Sequence, residues 1–254
     1  MSKLEQLYSL KGLRVVVTGA SSGLGLSMAI MMAECGADVI GLSRSGNVKV
    51  EYDGEIPASI VFDKMDVSDE ADVKGKLTEI GENGGIDVLV NNAGVTIKKP
   101  ADQMTTVDLE YMNNININGV YQCSKYAFPY LKNSKHVGRI ISISSMASFL
   151  GFSEVVPYCA TKSAVLGITR GLAVEWAQEN VLVNSISPGW FPSLMNQQIM
   201  DPERQKKILS RMPLHRYGKP EELAAMVCFL ASPAASYITG QDFSVDGGAL
   251  AFGY

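Results

Sequence analysis

The predicted fold rests on one stretch, Arg14-Val15-Val16-Val17-Thr18-Gly19-Ala20-Ser21-Ser22-Gly23-Leu24-Gly25. Its β-branched start is typical of a buried parallel strand, and a helical pattern runs from Leu26 to Cys35. Glycines between a strand and a helix permit a tight turn, and the helix N-terminus offers free N–H groups to a pyrophosphate. We therefore predict a dinucleotide-binding turn made by Gly19, Ser21, Ser22, Gly23, Leu24 and Gly25. Because the spacing is Gly-x-x-x-Gly-x-Gly rather than the commoner Gly-x-Gly-x-x-Gly, a plain glycine-rich turn is the alternative.

Downstream of this turn, short apolar strands alternate with helical segments. Further strands are predicted at 38–42, 59–62, 87–90, 138–145, 181–186 and 242–245. Further helices are predicted at 69–80, 105–131, 156–180 and 220–230. Such alternation is typical of an α/β protein, and no linker or repeat divides the chain. We predict a single domain over residues 1–254, with a lid over the site at about 190–213.

The ends of the second and third strands predict the adenosine side of a dinucleotide site. Ser43 and Arg44 follow the second strand, where no carboxylate stands to repel a 2′-phosphate, so we favour NADP(H) over NAD(H). A solvated Arg44 is the alternative, because Ser22 in the glycine turn supplies no second cation. Asp66 and Val67 follow the third strand, where the carboxylate can reach an adenine edge.

Asparagines mark two further places in the pattern. Asn91-Asn92-Ala93-Gly94 follows the fourth strand, where amide side chains can hold neighbouring loops and Asn92, Ala93 and Gly94 can line a ligand site. Asn113-Asn114-Ile115-Asn116-Ile117-Asn118-Gly119 interrupts the predicted helix 105–131, and four asparagines and a glycine lower its helix propensity. A polar kink that faces the site would explain this segment, and a local loop is the alternative.

Tyr158 and Lys162 lie four residues apart in a predicted buried helix, so their side chains share one face. A nearby cation favours a phenolate, and a Tyr with a lowered pKa can exchange a proton at neutral pH, as hydride transfer between a carbonyl and an alcohol requires. Ser145 ends the fifth strand, at the sheet edge where ligands bind. The alternative is a Lys side chain packed over an aromatic ring.

Composition argues against several other classes of function. Of 254 residues, 46% are hydrophobic and 19% are charged, which is unlike a disordered chain. The net charge of −4 argues against nucleic acid as the partner. Neither an apolar run of membrane-spanning length nor a signal-peptide pattern occurs. Two histidines and four scattered cysteines predict no metal site. The cysteines are interpreted as reduced core residues of a cytoplasmic protein: Cys35, Cys123, Cys159 and Cys228.

Taken together, the motifs resemble the short-chain dehydrogenase/reductase family across nearly the whole chain. In family order, the matching segments are Thr18-Gly19-x-x-x-Gly23-x-Gly25, Asp66-Val67, Asn91-Asn92-Ala93-Gly94, Asn116, Ser145, Tyr158-x-x-x-Lys162, Pro188-Gly189 and Asp246-Gly247-Gly248. The resemblance implies one Rossmann-type, doubly wound α/β domain, with a seven-stranded parallel sheet and helices on both faces. It also implies a homotetramer that assembles through helices 105–131 and 156–180 and the C-terminal strand region.

The resemblance further implies a catalytic tetrad. Tyr158 is expected to be the general acid in reduction and the general base in oxidation. Lys162 is expected to lower the pKa of Tyr158 and to hold the nicotinamide ribose. Ser145 is expected to bind the substrate oxygen, and Asn116 to hold a water that links Lys162 to solvent.

The loop that begins at Pro188 and Gly189 is expected to contact the nicotinamide. Phe191 and Ser193 are the predicted cofactor contacts in this loop, and Trp190 joins Ser145 and Tyr158 as a predicted substrate contact. A threonine often stands where this chain has Ser193, which keeps the hydroxyl.

The implied activity is hydride transfer between NAD(P)(H) and a secondary alcohol or its ketone. Segments 145–148, 154–156, 175–176 and 187–190 look most like gluconate 5-dehydrogenase and related sugar-acid or polyol dehydrogenases. A 3-oxoacyl-thioester (acyl carrier protein) reductase and a general carbonyl reductase share the motifs and are alternatives. From another class, a non-catalytic dinucleotide sensor is the alternative, and an intact tetrad argues against it.

Overall fold

A single sheet of seven parallel strands organises the computed structural model, which describes residues 2–49, 55–192 and 202–252. The strands are Arg14–Thr18 (β1), Asp38–Ser43 (β2), Ile60–Lys64 (β3), Val88–Asn91 (β4), Gly138–Ile143 (β5), Val181–Pro188 (β6) and Asp242–Val245 (β7). Their order across the sheet is β3-β2-β1-β4-β5-β6-β7, and every neighbouring pair is parallel. The predicted doubly wound sheet is confirmed.

Helices cover both faces of this sheet. They are Lys3–Tyr8 (α1), Gly23–Glu34 (α2), Glu70–Glu82 (α3), Thr106–Asn113 (α4), Gly119–Leu131 (α5), Val156–Trp176 (α6), Pro202–Ser210 (α7) and Pro220–Ala231 (α8). A π-helix at Asn114–Asn118 joins α4 to α5, so the asparagine-rich segment is a distortion within a continuous helix, as predicted. The sequence pattern missed α1, which has six residues, none of them buried, and a capping box between Ser2 and Glu5.

Two hydrophobic cores lie on opposite faces of the sheet. Along β1, Val15 and Val17 belong to the core that includes α2 and α8, whereas Val16 belongs to the core that includes α3 and α5. All three valines are fully buried. Because successive strand residues point to opposite faces, a strand covered on both sides is apolar at every position, which explains why β1 reads as an unbroken β-branched run.

The topology places a crevice at the carboxyl ends of β1 and β4. From β1 the chain extends the sheet to β2 and β3 on one side, and β4 then restarts it on the other side. In doubly wound sheets, ligands bind where the strand order reverses in this way. The glycine turn follows β1, and β4 ends at Asn91 and leads into Asn92, so the two motifs meet at this crevice.

Two local predictions were wrong. Strand β5 ends at Ile143, two residues earlier than predicted, so Ser144 and Ser145 lie in the loop before a short 3₁₀ helix. Cys35 is exposed at the end of α2 rather than buried, and all four cysteines are free. The predicted lid lies partly outside the described residues, which resume at α7. Within 2–49, 55–192 and 202–252, no helix has the length and apolar character that a membrane crossing requires.

Candidate active site

The glycine turn after β1 leaves an open anion site at the start of α2. Gly19 and Gly23 have φ values of +68° and +55°, in the left-handed region that favours glycine. A Cβ on Gly25 would collide with the Gly19 carbonyl and the Asn92 side-chain amide. The Ser22 side chain makes no capping hydrogen bond, so the first N–H groups of α2 can bind an anionic ligand. This geometry fits a pyrophosphate.

Asn92 holds the glycine turn against the end of β4. Its side-chain Nδ2 donates to the Thr18 carbonyl at 2.9 Å and to the Gly19 carbonyl at 3.2 Å. In return, Thr18 Oγ1 accepts the backbone N–H groups of Asn92 at 3.0 Å and Ala93 at 3.1 Å. These four hydrogen bonds fix the two strand ends that flank the crevice, which is the role predicted for an amide side chain at this position.

A cavity of about 460 Å³ extends from the glycine turn to α6. The predicted cofactor contacts that line it are Gly19, Ser21, Ser22, Gly23, Leu24, Gly25, Ser43, Arg44, Asp66, Val67, Asn92, Ala93, Gly94, Tyr158, Lys162, Pro188, Gly189 and Phe191. Ser145 and Trp190 line it as well. Ser193 lies outside the described residues, and Asn116 is fully buried behind the cavity wall. The lining of the crevice therefore fits an extended dinucleotide.

Two cations line the cavity beyond the end of β2. Arg44 follows the strand directly, and Lys49 is positioned by a 2.9 Å hydrogen bond from its backbone N–H to the Ser21 carbonyl. Burial alone would raise the pKa of Asp66, but hydrogen bonds from Ser68 and the charge of Arg44 bring that pKa below its ordinary value. Sequence reasoning missed Lys49, because it lies in an irregular loop whose direction no periodicity fixes.

Tyr158 and Lys162 share one face of α6, as their spacing predicts. Lys162 Nζ lies 5.8 Å from the centre of the Tyr158 ring and donates to the Ile143 carbonyl at 2.8 Å. Burial lowers the pKa of Lys162 to about 8. Burial also raises the pKa of Tyr158, although a hydrogen bond with the Ser145 side chain lowers it. The net shift of the Tyr158 pKa is opposite to the expected one, so at neutral pH the phenol carries a proton that it can donate.

Asn116 is tied to the cavity wall by its side chain. Its Oδ1 accepts the Val95 backbone N–H at 2.9 Å, and its Nδ2 donates to the Val95 carbonyl at 2.8 Å and to Thr161 Oγ1 at 3.0 Å. Thr161 Oγ1 in turn donates to the Tyr158 carbonyl at 2.9 Å. The π-helix thus aims Asn116 at both the loop after β4 and the helix that carries Tyr158. Protein groups already bind both the oxygen and the nitrogen of the Asn116 amide. The side chain alone therefore does not account for the predicted binding of a water, and that role stays a prediction.

The end of the cavity away from the glycine turn combines aromatic side chains with a few polar groups. Phe152 and Trp190 meet edge to face, with ring centroids 6.2 Å apart. Thr96 Oγ1 is buried and, among the residues that the structure describes, has no hydrogen-bond partner. Lys98 also lines this end, and its Nζ lies 3.2 Å from Glu154 Oε2. Of these five residues the sequence predicted only Trp190, because the others lie in loops with no motif of their own.

The C-terminal motif supports the turn after β6. The Gly189 N–H donates to the Val245 carbonyl at 2.9 Å, and a Cβ on Gly189 would lie 2.6 Å from the Asp246 Cα. The Asp246 carboxylate accepts the backbone N–H groups of Gly248 at 2.9 Å and Leu250 at 2.8 Å. The Asp246-Gly247-Gly248 motif therefore supports the turn at Gly189, which lines the cavity, rather than supplying a reactive group.

Known proteins with similar sequences identify the family. A family model described as enoyl-(acyl carrier protein) reductase matches residues 19–249. The chain is 39% identical over 249 residues to 2-dehydro-3-deoxy-D-gluconate 5-dehydrogenase of Dickeya dadantii, covering 96% of this chain and 98% of the relative. The chain belongs to the short-chain dehydrogenase/reductase family.

Two further members of this family bear on the choice of substrate. A gluconate 5-dehydrogenase from Burkholderia cenocepacia, solved in complex with NADP and tartrate, superposes with a TM-score of 0.89 at 29% identity, covering 98% of this chain and 99% of that one. A 3-oxoacyl-[acyl-carrier-protein] reductase of Thermotoga maritima is 34% identical over 243 residues, covering 94% of this chain and 98% of the relative. As a short-chain dehydrogenase/reductase, the protein is an oxidoreductase that acts on CH–OH groups with a nicotinamide cofactor.

Proposed function

We propose that the enzyme transfers a hydride between NADP(H) and a secondary alcohol, or the corresponding ketone, of a sugar acid. The observation that carries this proposal is the cavity itself: Tyr158, which is hydrogen-bonded to Ser145, lines it together with a cation, Lys98. The chain is similar to a 2-dehydro-3-deoxy-D-gluconate 5-dehydrogenase along nearly its whole length, which supports the same class of substrate.

Three side chains would handle the proton and the developing charge. In reduction, Tyr158 would donate its proton to the substrate oxygen, and in oxidation it would take a proton back. Ser145, within hydrogen-bonding reach of Tyr158, would orient the substrate oxygen and stabilise charge on it. Lys162, with a pKa of about 8, is cationic at neutral pH and would stabilise the transient phenolate. The nicotinamide, when bound, supplies or accepts the hydride.

The remaining predicted site residues would hold the cofactor and close the cavity. We propose that the glycine turn binds the pyrophosphate and that the segment from Asn92 to Gly94 lies along the nicotinamide half. Phe191 and Ser193 would contact the nicotinamide, and the segment 190–213 would act as a lid. Asn116 would position the loop after β4 and would help to hold a water that links Lys162 to solvent.

Two cations at the adenosine end support NADP(H) as the preferred cofactor. Arg44 and Lys49 both line the cavity, and guanidinium and ammonium groups bind a 2′-phosphate through charge-assisted hydrogen bonds. We expect Arg44→Ala and Lys49→Ala each to lower kcat/KM for NADPH about tenfold or more, while kcat/KM for NADH changes little. A wild-type enzyme that clearly prefers NADH would refute this assignment.

A carbonyl panel with NADPH tests the proposed substrate class. We expect the highest kcat/KM with 5-ketogluconate, lower values with fructose and sorbose, and the lowest with acetoacetyl thioesters. Reduction of the thioester without turnover of any sugar or sugar acid would replace the proposal with a 3-oxoacyl-thioester reductase, the candidate that the Thermotoga maritima relative favours. NADPH binding without turnover of any carbonyl would instead indicate a dinucleotide sensor.

We also propose a homotetramer in the cytoplasm. Apolar side chains are exposed on the helices expected at the interface, with Val107 73% and Val174 83% exposed, and such surface is typically covered by a partner subunit. The free state of all four cysteines suits a reducing compartment. Light scattering is expected to give four times the 27.4 kDa chain mass, and a monomeric mass at working concentration would contradict the assembly.

A further inference from the structure

We propose that Lys98 binds the carboxylate of the sugar-acid substrate, and that Glu154 is an internal competitor which this carboxylate displaces. The inference rests on the proposed function, because it concerns the same site. The acid group of the substrate would be recognised at the ion pair of Lys98 and Glu154. Substitutions of these two residues should therefore have opposite effects on the affinity for a sugar acid.

Lys98 is placed for contact with a substrate rather than with the cofactor phosphates. It lies on the loop that leaves β4 and lines the cavity together with Thr96. Its partner Glu154 lies four residues before the catalytic Tyr158. Among the described cavity-lining residues, the other cations are committed elsewhere: Arg44 and Lys49 lie at the adenosine end, and Lys162 donates to the Ile143 carbonyl. A carboxylate on the substrate side would therefore meet Lys98.

The backbone holds Glu154 in an uncommon conformation that directs it at Lys98. Glu154 has a φ of +67°, in the left-handed region that few residues other than glycine adopt. A 2.8 Å hydrogen bond from the Lys99 N–H to the Glu154 carbonyl joins the two loops, and the ion pair at 3.2 Å joins them a second time. A carboxylate is thus held 3.2 Å from Lys98 Nζ, the group that would bind the acid of the substrate.

The ion pair is weak enough for a substrate to break. The Lys98 and Glu154 side chains are 34% and 40% exposed, and solvent screens a pair with that exposure. A substrate carboxylate gains more than Glu154 does, because its other groups contact Ser145 and Tyr158 at the same time. Thr96 Oγ1, buried and without a hydrogen-bond partner in the described part of the chain, offers a further donor in the same wall. A neutral ketose has no group that replaces Glu154, so the pair favours acids over neutral sugars.

Equilibrium binding measurements test the role of Lys98 as the carboxylate-binding group and the role of Glu154 as its competitor. The affinities of D-gluconate and of neutral D-glucitol are measured by calorimetry on the NADP⁺-saturated enzyme, in the wild type and in Lys98→Met, Glu154→Gln and Lys99→Met. Lys99 is the matched control, because it neighbours Lys98 but pairs with Asp108 at 2.6 Å and is not a cavity-lining residue. NADPH affinity and circular dichroism report whether each variant is folded.

We expect Lys98→Met to raise the Kd for gluconate about 10- to 100-fold, the usual effect of losing a charge-assisted hydrogen bond. Glu154→Gln is expected to lower that Kd about two- to tenfold, since it removes the competing carboxylate but keeps the shape of the side chain. Neither variant should change the Kd for glucitol more than about threefold, and Lys99→Met should change neither Kd. Added salt should weaken gluconate binding in the wild type more than in Lys98→Met.

Two kinds of result would overturn the inference, and they are distinguishable. In the first, the wild type binds and turns over sugar acids, but Glu154→Gln weakens gluconate binding or Lys98→Met weakens the binding of gluconate and glucitol equally. The ion pair then only supports the loops, and the inference fails while the proposed function stands. In the second, the wild type does not bind gluconate and reduces thioesters instead. The proposed function then fails, and the inference fails with it.

Discussion

Replacing Asn116 by alanine should destabilise the folded protein as well as slow the reaction. The buried Asn116 side chain makes three hydrogen bonds, two with the backbone of Val95 and one with the Thr161 hydroxyl. Alanine leaves all three partner groups without this partner. An unpaired buried polar group costs about 1–3 kcal/mol, and Val95 lines the cavity, where water can partly replace the amide.

From these contacts we expect the free energy of unfolding to fall by about 3 kcal/mol. For a chain of this size, 1 kcal/mol shifts Tm by about 2–4 °C, so Tm should fall by about 6–12 °C. Thr161→Val removes one of the three Asn116 hydrogen bonds, together with the one that Thr161 donates to the Tyr158 carbonyl. It leaves both Val95 bonds in place and should lower Tm by about 2–4 °C. Asn118→Ala is the matched control. Asn118 belongs to the same π-helix but is exposed, and its side chain donates to Asn114 Oδ1 at 2.9 Å, so the Tm of this variant should change little.

Thermal unfolding followed by circular dichroism, at one protein concentration and with and without NADP⁺, measures the three variants against the wild type. The expected order of destabilisation is Asn116→Ala, then Thr161→Val, then Asn118→Ala. An Asn116→Ala enzyme that is inactive but melts within about 2 °C of the wild type would refute the reasoning. That outcome would mean that Asn116 acts on the chemistry alone, for example through a bound water, and that its hydrogen bonds to Val95 and Thr161 are dispensable.

Three further outcomes are expected. Tyr158→Phe should keep folding and NADPH binding but lose nearly all turnover in steady-state assays, because phenylalanine has no proton to transfer; a near-normal kcat would contradict the role of Tyr158. Gly25→Ala should raise the Kd for NADPH at least about tenfold in fluorescence titrations, because its Cβ collides with the wall of the glycine turn, whereas Gly75→Ala, where a Cβ meets no atom within 4 Å, should not. Lys162 has its pKa lowered by burial from 10.5 to about 8, so between those pH values the unfolded chain binds more protons and stability rises with pH. Lys162→Met should lose that rise in a Tm–pH profile, and an equal rise in both proteins would contradict the assignment.

The sequence predicted the parts of the site that local patterns determine. A β-branched run followed by spaced glycines specifies the strand, turn and helix around Gly19 to Gly25, because each element depends on neighbours in the chain. The same holds for Tyr158 and Lys162, whose spacing places both on one helical face. The asparagine-rich segment was interpretable for a similar reason: its low helix propensity indicated a distortion, and the structure has a π-helix there.

What the sequence missed depends on contacts between distant segments. Lys49 and Lys98 enter the cavity because their loops are held by backbone hydrogen bonds, to Ser21 in one case and between Lys99 and Glu154 in the other. No periodicity encodes such contacts. The direction of the Tyr158 pKa shift was missed because burial raises that pKa more than the Ser145 hydrogen bond lowers it, and burial is set by the whole fold.

The hydrogen bonds described above form a continuous connection between the two ends of the active site. Thr18 and Asn92 join the glycine turn to the loop after β4. In that loop Val95 is held by Asn116, and Asn116 is also bonded to Thr161, which lies three residues after Tyr158 in α6. The distance between the proposed phosphate site and the proposed proton donor, Tyr158, is therefore set by hydrogen bonds and covalent geometry. Changes in the loops at the other end of the cavity can consequently alter substrate preference without moving the glycine turn relative to Tyr158. The same arrangement of these two parts can therefore serve many different carbonyl compounds.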